Sequence, residues 1–419
     1  LAIISNSFSA ICSHKKVDDQ INQDAIADFL KFEWVTNDAT FFRKINRISS
    51  GTINIFSEEG LKVKKYFLWP EEIPRNNQSV EKNAEQGYDL LFNAVRRVLT
   101  GLSSPGVTLS GGLDTRIITG LINRIGIRPL LYHCLLSNNE RLGAQGVADI
   151  YDMHLDTEEP LKLKYKINEL PIIYGDGCTS INQFWLNRLY RRIHNDNASD
   201  CVIDGFNLDL LLNLYGFAIY SYKSSTFMEH GILADEDKTN IADIIYGLPK
   251  GYINKYFNGN SITNINEIGL SNISRQCSII SNKDIVHFCR ILYLMTRGKR
   301  YVYMMPYINQ QYCDVRFPGL DYDLIEFCMH LPTFQFRQPL VYLKIFENYF
   351  PDLNEVIWAK TGLPLKRGMT RPKKYSGYIK ELRYFLKRIT LGKVDLETPR
   401  NDYNRMFRND KIFRNSILI

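Results

Sequence analysis

The passage that most constrains this chain is Val107-Thr108-Leu109-Ser110-Gly111-Gly112-Leu113-Asp114-Thr115-Arg116. A short apolar strand runs into Ser-Gly-Gly, and helical periodicity follows at once, from Thr115 to Arg124. The two glycines let the backbone turn sharply and approach a ligand. Successive N–H groups and the helix N-terminus then face an anion. Ser110 and Thr115 add hydroxyl donors. Asp114 would hold phosphate poorly by itself, but it makes sense if a Mg²⁺ bridges it to the phosphates. The GxxxxGK[ST] pattern is absent, so this is a different loop design. The competing account is a plain strand–turn–helix connection. The strand before, the helix after and an Asp at this offset weigh against it.

The surroundings of the loop predict an α/β domain. After the strand at 107–109 come a strand at Pro129–Cys134, a helix from about Glu140 to Asp152, a third strand at Leu161–Tyr165, an amphipathic helix at Ile181–Ile193 and a fourth strand at Cys201–Ile203. Such alternation argues a parallel sheet covered by helices on both faces. Before the loop, Gln86–Thr100 carries Leu90, Leu91, Ala94, Val95 and Val98 on one helical face. Residues 69–84, with two prolines, three asparagines and several charges, read as a linker. The first 68 residues read as a small β-rich piece. It has one helix at Gln23–Phe32, for which Asp24 is a plausible cap, and a hairpin of Gly51–Phe56 and Leu61–Leu68. Residues 215–419 read as mainly helical, with apolar periodicity at 285–296 and 322–331.

Composition narrows the classes. Of 419 residues, 45% are apolar and 23% charged, which excludes wholesale disorder and collagen-like repeats. No apolar run is long enough to predict a membrane span. The net charge of +7 is a mild excess that permits phosphate-bearing ligands but does not point to nucleic acid. The eight cysteines lie far apart with no CxxC, and the seven histidines form no metal pattern, so neither disulfides nor a structural metal are expected. No signal peptide is visible, so a cytoplasmic location is expected. A start at Leu1 rather than Met leads us to expect an upstream part.

Ser110-Gly111-Gly112-Leu113-Asp114-Thr115 resembles the SGGxDS pyrophosphatase loop of the asparagine synthetase family, with Thr115 keeping the hydroxyl of the usual Ser. Four further segments fit that family. Thr40-Phe41-Phe42-Arg43-Lys44-Ile45-Asn46-Arg47-Ile48, then Gly51-Thr52 and, further on, Tyr66 and Trp69, is similar to the end of its glutaminase domain. Cys201-Val202-Ile203-Asp204-Gly205-Phe206-Asn207-Leu208-Asp209 is similar to its strand and GxGxDE loop. Asp314 to Tyr322 resembles its R-x-P-F-L-D-H segment, and we favour a structural role there, with Asp321 as a helix cap. Lys360-Thr361-Gly362-Leu363-Pro364-Leu365 is similar to its K-x-G-F-x-x-P region.

The resemblance implies an adenine nucleotide α-hydrolase-like α/β domain over 85–419. It also implies a remnant of an α+β Ntn-type glutaminase domain over 1–68, with 69–84 between them. It implies ATP and Mg²⁺ as cofactors: ATP at Leu109, Ser110, Gly111, Gly112, Leu113, Asp114, Thr115 and Gly205, and the metal between Asp114 and Asp209. A carboxylate at a strand C-terminus does face the ligand crevice of an α/β sheet; the competing account has Asp209 merely cap the helix Leu210–Leu214. Lys360 is the catalytic candidate, matching a lysine that points into the family's synthetase site. The activity implied is ATP-dependent amide formation through an acyl-adenylate, from aspartate or another carboxylate, with ammonia or an amine as nitrogen donor. An upstream glutaminase part is a possible source of that nitrogen.

Some positions depart from the family. Phe206 stands where asparagine synthetases carry Glu and β-lactam-forming relatives Tyr, and it neither takes a proton nor holds an ammonium group. Asn207 replaces a glycine, Leu210 an acidic residue and Gly319 a Phe. The changes at 206, 207 and 210 count against aspartate and allow a larger or more apolar acyl group, a peptide or a sugar-linked acid included, and a specialised amidotransferase or peptide cyclase is one form of it. Cys12 is internal and reads as a packed thiol, not a glutaminase nucleophile. The main rival is a non-catalytic relative that binds ATP or a partner. Neither nucleic acid nor membrane is an expected partner. Gly175-Asp176-Gly177 reads as a tight turn, and the basic, tyrosine-rich stretch Lys366–Arg388 as a solvated helix face.

Overall fold

The computed structural model describes residues 3–17, 20–160, 178–179, 181–212, 231–247, 264–337 and 339–365. The expected strand at Leu161–Tyr165, the Gly175–Gly177 turn and the stretch Lys366–Arg388 lie outside them. The chain divides into two compact units, each assembled from separate stretches of sequence: 1–74, 171–183 and 217–305 form one, and 75–170, 184–216 and 306–419 the other. No described helix is long and apolar enough to cross a membrane.

In the first unit the helix Gln23–Phe32 matches its expected span. Its cap is Asn22, whose side chain accepts from the Ala25 N–H, so the cap lies two residues before the expected Asp24. Asp24 sits in the first turn, where a carboxylate still favours the positive end of the helix. This helix packs on Ile265–Ile279 through polar groups as well as apolar ones. Asp28, fully buried, accepts from the N–H and hydroxyl of Thr36 (2.9 and 2.5 Å) and from the Asn272 amide (2.8 Å). Lys31, also buried, pairs with Asp243 at 2.7 Å. Trp34 is enclosed by Phe32, Tyr246 and Tyr301. The expected hairpin forms as β1 (Thr52–Ser57) and β2 (Gly60–Lys65). The helix expected over 285–296 is α-helical over Ile285–Tyr293 and continues as a π-helix through Leu294–Val302.

The second unit is a five-stranded parallel sheet with flanking helices. Its strands are β3 (Pro105–Thr108), β4 (Leu130–Cys134), β5 (Leu155–Glu158), β6 (Cys201–Ile203) and β7 (Asp314–Arg316), in the order β5-β4-β3-β6-β7. Successive strand residues point to opposite faces, and Cys201, Val202 and Ile203 are all fully buried, so protein covers both faces there. β5 lies just before the segment expected as the third strand. β7 was not expected: Asp-Val-Arg has a single apolar residue, and only pairing with β6 makes it a strand. The helix before β3 spans Val80–Val98, beginning inside the expected 69–84 linker, because Ser79 caps it by accepting from Lys82 N–H. The amphipathic helix expected at Ile181–Ile193 runs from Asn187 to Asp196. Asp321 caps the helix Tyr322–Met329 as expected, accepting from Leu324 N–H, and Arg97 grips the same carboxylate through two bonds of 2.6 Å.

The strand order places the site. From β3 the chain winds one way through β4 and β5, then returns to β6 on the other side of β3 and continues to β7. The strand order therefore reverses between β3 and β6, and in open α/β sheets ligands bind beyond the carboxyl ends of the strands at such a point. The glycine loop leaves β3 at that place, and the Asp204–Asp209 segment leaves β6 beside it.

Candidate active site

The loop 109–115 is braced from within. Leu109 N–H donates to Tyr132 O, and Leu109 O accepts from His133 Nδ1 at 2.8 Å, which fixes the loop's start against β4. Ser110 N–H donates to Thr115 Oγ1 (2.9 Å), Gly112 N–H donates to Ser110 Oγ (3.1 Å), and the two hydroxyls lie 3.1 Å apart. One hydroxyl proton bridges the pair, so one is left to donate outward. The hydroxyls therefore shape the loop as much as they offer donors. The helix Asp114–Arg124 begins directly, with no side-chain cap.

Backbone crowding explains the glycines. A β-carbon on Gly111 would come within 2.8 Å of Ala359 Cβ and of the Glu140 backbone, and one on Gly143 within 2.8 Å of Gly111 Cα and Ile357 O. The loop, the start of helix Asn138–Ile150 and the strand β8 (Ile357–Trp358) thus meet backbone to backbone. Arg116 locks the junction. Its buried guanidinium donates to Leu353 O and Val356 O (3.1 Å each) and to Ile357 O (2.6 Å), and Ala359 N–H donates to Gly111 O (3.0 Å). Burial pushes the Arg116 guanidinium down to about 10, which leaves it charged at neutral pH.

This junction carries Lys360. β8 pairs with β9 (Leu363–Pro364), and the turn between them closes on Trp358 O, which accepts from Thr361 and Gly362 N–H. Gly362 takes φ +68°, a conformation that favours glycine. Lys360 sits at the tip, exposed, with Nζ 5.5 Å from the centre of the Trp358 ring. Its charge reaches Asp209 and, like the backbone N–H of Leu210, works against the burial that raises that carboxyl.

The carboxylates come from both sides of the switch point. Asp114 opens the helix after β3, and Asp209 lies in the first turn of helix Leu208–Leu212 after β6. Gly205, in the segment after β6, packs on the first of them: a β-carbon there would stand 2.8 Å from Asp114 Cβ and 3.2 Å from Thr115 Cγ2. Burial, then the charges of Asp209 and Asp204, hold the Asp114 carboxyl well above its usual range, against a hydrogen bond from Tyr342. Burial likewise raises Asp209, although solvent reaches it. Two hard carboxylate oxygens and a glycine floor suit a small divalent cation. Among the described residues no three His, Cys, Asp or Glu side chains form a metal cage. A carboxylate pair is, however, what Mg²⁺ takes from protein when phosphates and waters complete its shell.

Asp204 and Tyr342 were not among the sequence candidates. Asp204 is buried at the end of β6, where it accepts from Phe206 N–H (2.8 Å) and the Thr108 hydroxyl (3.2 Å). Its place directly after a buried strand was the available signal. Tyr342 comes from the helix Leu340–Tyr349 and donates to Asp114 Oδ1 at 2.8 Å. Nothing in the local sequence around Tyr342 points to that contact.

Two departures, Asn207 in the β6 loop and Gly319 after β7, prove to be one arrangement. Asn207 takes φ +75°, the left-handed region where glycine is easiest and Asn next. Its side-chain amide donates to Gly319 O at 2.7 Å. A β-carbon on Gly319 would lie 2.3 Å from Phe206 O, so the two segments touch only because 319 is glycine. Phe206 packs edge-on against Phe317, with ring centres 5.8 Å apart.

No family model matches the chain. The chain is 24% identical over 124 residues to a Methanocaldococcus jannaschii protein called "Putative asparagine synthetase (glutamine-hydrolyzing) 2". The match takes in 29% of this chain and spans about a quarter (24%) of that relative's length.

Proposed function

We propose that this chain is an ATP-dependent amide-forming ligase of asparagine synthetase type, working through an acyl-adenylate. The observation that carries the reading is the pairing of the Ser110–Thr115 loop with Asp209 across the β3/β6 switch point, where Asp114 and Asp209 feel each other's charge. The distant likeness to the archaeal protein supports the same class.

In this reading a substrate carboxylate oxygen attacks the α-phosphorus of ATP and pyrophosphate leaves. The Gly111 and Leu113 amides, which donate to no protein group among the described residues, and the outward hydroxyl of Ser110 or Thr115 receive the pyrophosphate. Asp114 and Asp209 hold Mg²⁺, which when bound neutralises phosphate charge. Lys360 adds positive charge where negative charge grows in the transition state. Ammonia or an amine then attacks the acyl carbon, loses a proton, and AMP leaves with the amide formed. Phe206, packed on Phe317, offers the acyl group an apolar edge in place of an acid. That favours a carboxylate larger or more apolar than aspartate, a peptide included. The same resemblance supports reading the first 68 residues as glutaminase-like.

The test is exchange of labelled pyrophosphate into ATP across a panel of carboxylic acids. Exchange with apolar or peptide acids is expected. Exchange with aspartate alone would restore plain asparagine synthesis. ATP binding without exchange for any acid would replace the ligase reading with that of a nucleotide-binding relative.

A further inference from the structure

Asp114 is held from two directions. Gly205 crowds its β-carbon, and the Tyr342 hydroxyl donates to Oδ1 at 2.8 Å. Among the described residues none donates to Oδ2. Tyr342 itself has little freedom. It is fully buried, and its helix also buries Val341, Ile345 and Phe346. The Phe346 ring centre lies 5.5 Å from its own. A phenol fixed this firmly turns a two-fold, freely rotating carboxylate into a one-sided ligand. One oxygen is occupied and the other presented.

We infer that Tyr342 is a positioning residue of the candidate cation site, pinning Asp114 Oδ1 so that Oδ2 is the oxygen offered to the divalent cation. This rests on the cation site proposed above and adds to it a residue from a distant helix. Groups that orient a metal ligand from behind typically change affinity by about 10- to 100-fold when removed. A hydroxyl serving only to satisfy a buried phenol would leave cation affinity unchanged.

The probe is Mn²⁺ alone, titrated into the full chain and followed by electron paramagnetic resonance of the free ion. Wild type is expected to bind Mn²⁺, Asp209→Asn to lose it, and Tyr342→Phe to bind about tenfold or more weakly. Tyr342→Phe binding as wild type does, while Asp209→Asn does not bind, overturns the role of Tyr342 and leaves the cation site standing. Wild type binding no Mn²⁺, or Asp209→Asn binding as wild type does, overturns the cation site and this inference with it. A second measurement avoids loss of the hydroxyl. With 3-fluorotyrosine placed at position 342, Mg²⁺ is expected to shift the fluorine resonance, and Asp209→Asn to abolish the shift. A resonance unmoved by a cation that does bind also overturns the inference.

Discussion

Gly205 and Asp114 meet so closely that a β-carbon on Gly205 would stand 2.8 Å from that of Asp114. The contact joins the two chain segments that leave β3 and β6. Gly205→Ala has to push Asp114 or Thr115 aside. Displacements of about 1 Å at a reacting site cost about 10²-fold. Pyrophosphate exchange by Gly205→Ala should fall by about that factor, while circular dichroism stays that of wild type.

Lys360 is exposed at a hairpin tip, with Nζ 5.5 Å from the centre of the Trp358 ring. Its removal should therefore cost catalysis, not folding. For Lys360→Ala we expect exchange to fall by about 10²- to 10³-fold, the usual loss for one electrostatic stabiliser. The midpoint of urea unfolding should stay within experimental error of wild type.

Arg116 is the opposite case. Its fork satisfies the carbonyls of Leu353, Val356 and Ile357 inside the protein. Arg116→Met leaves the Val356 and Ile357 carbonyls without the guanidinium donor, at about 1–3 kcal/mol each, while Leu353 O keeps the Val356 N–H. The urea midpoint should drop markedly. Arg116→Lys should rescue little of it, because an ammonium on a flexible stem lacks the planar fork that spans several acceptors.

Burial raises the Asp28 carboxyl to about 6, against the bonds from Thr36 and Asn272. A raised acid binds its proton more tightly in the folded than in the unfolded chain. Its contribution to stability is therefore full below the unfolded value of about 4 and is lost as pH rises through about 6. The loss is on the order of 3 kcal/mol. Asp28→Asn keeps the shape without the charge, with the Asn272 amide turned to accept. The melting temperature of wild type relative to Asp28→Asn should fall between pH 4 and pH 7, and a constant difference would refute the assignment.

The glycine loop and the strands at 107 and 201 were legible because each is written in adjacent residues, and Asp114, Asp209 and Lys360 stand as candidates on local signals of the same kind. An apolar strand, a pair of glycines and a following acid declare themselves locally. β7 was not legible, since Asp-Val-Arg carries too little apolar surface to mark a strand without β6 beside it. The beginning of the helix at Val80 was missed because a capping serine outweighed the polar composition of the residues around it. Asn207 and Gly319 read in isolation as two unrelated departures, and their mutual contact gives both a single cause.

The sequence alone determined that a strand must end in a tight, glycine-lined turn running straight into a helix, because backbone freedom and helical periodicity are properties of neighbouring residues. Only the tertiary structure decided which groups share that turn. Tyr342, 228 residues beyond Asp114, and the carbonyls that Arg116 holds reach it through packing, since hydrogen-bond partners are chosen by distance in space.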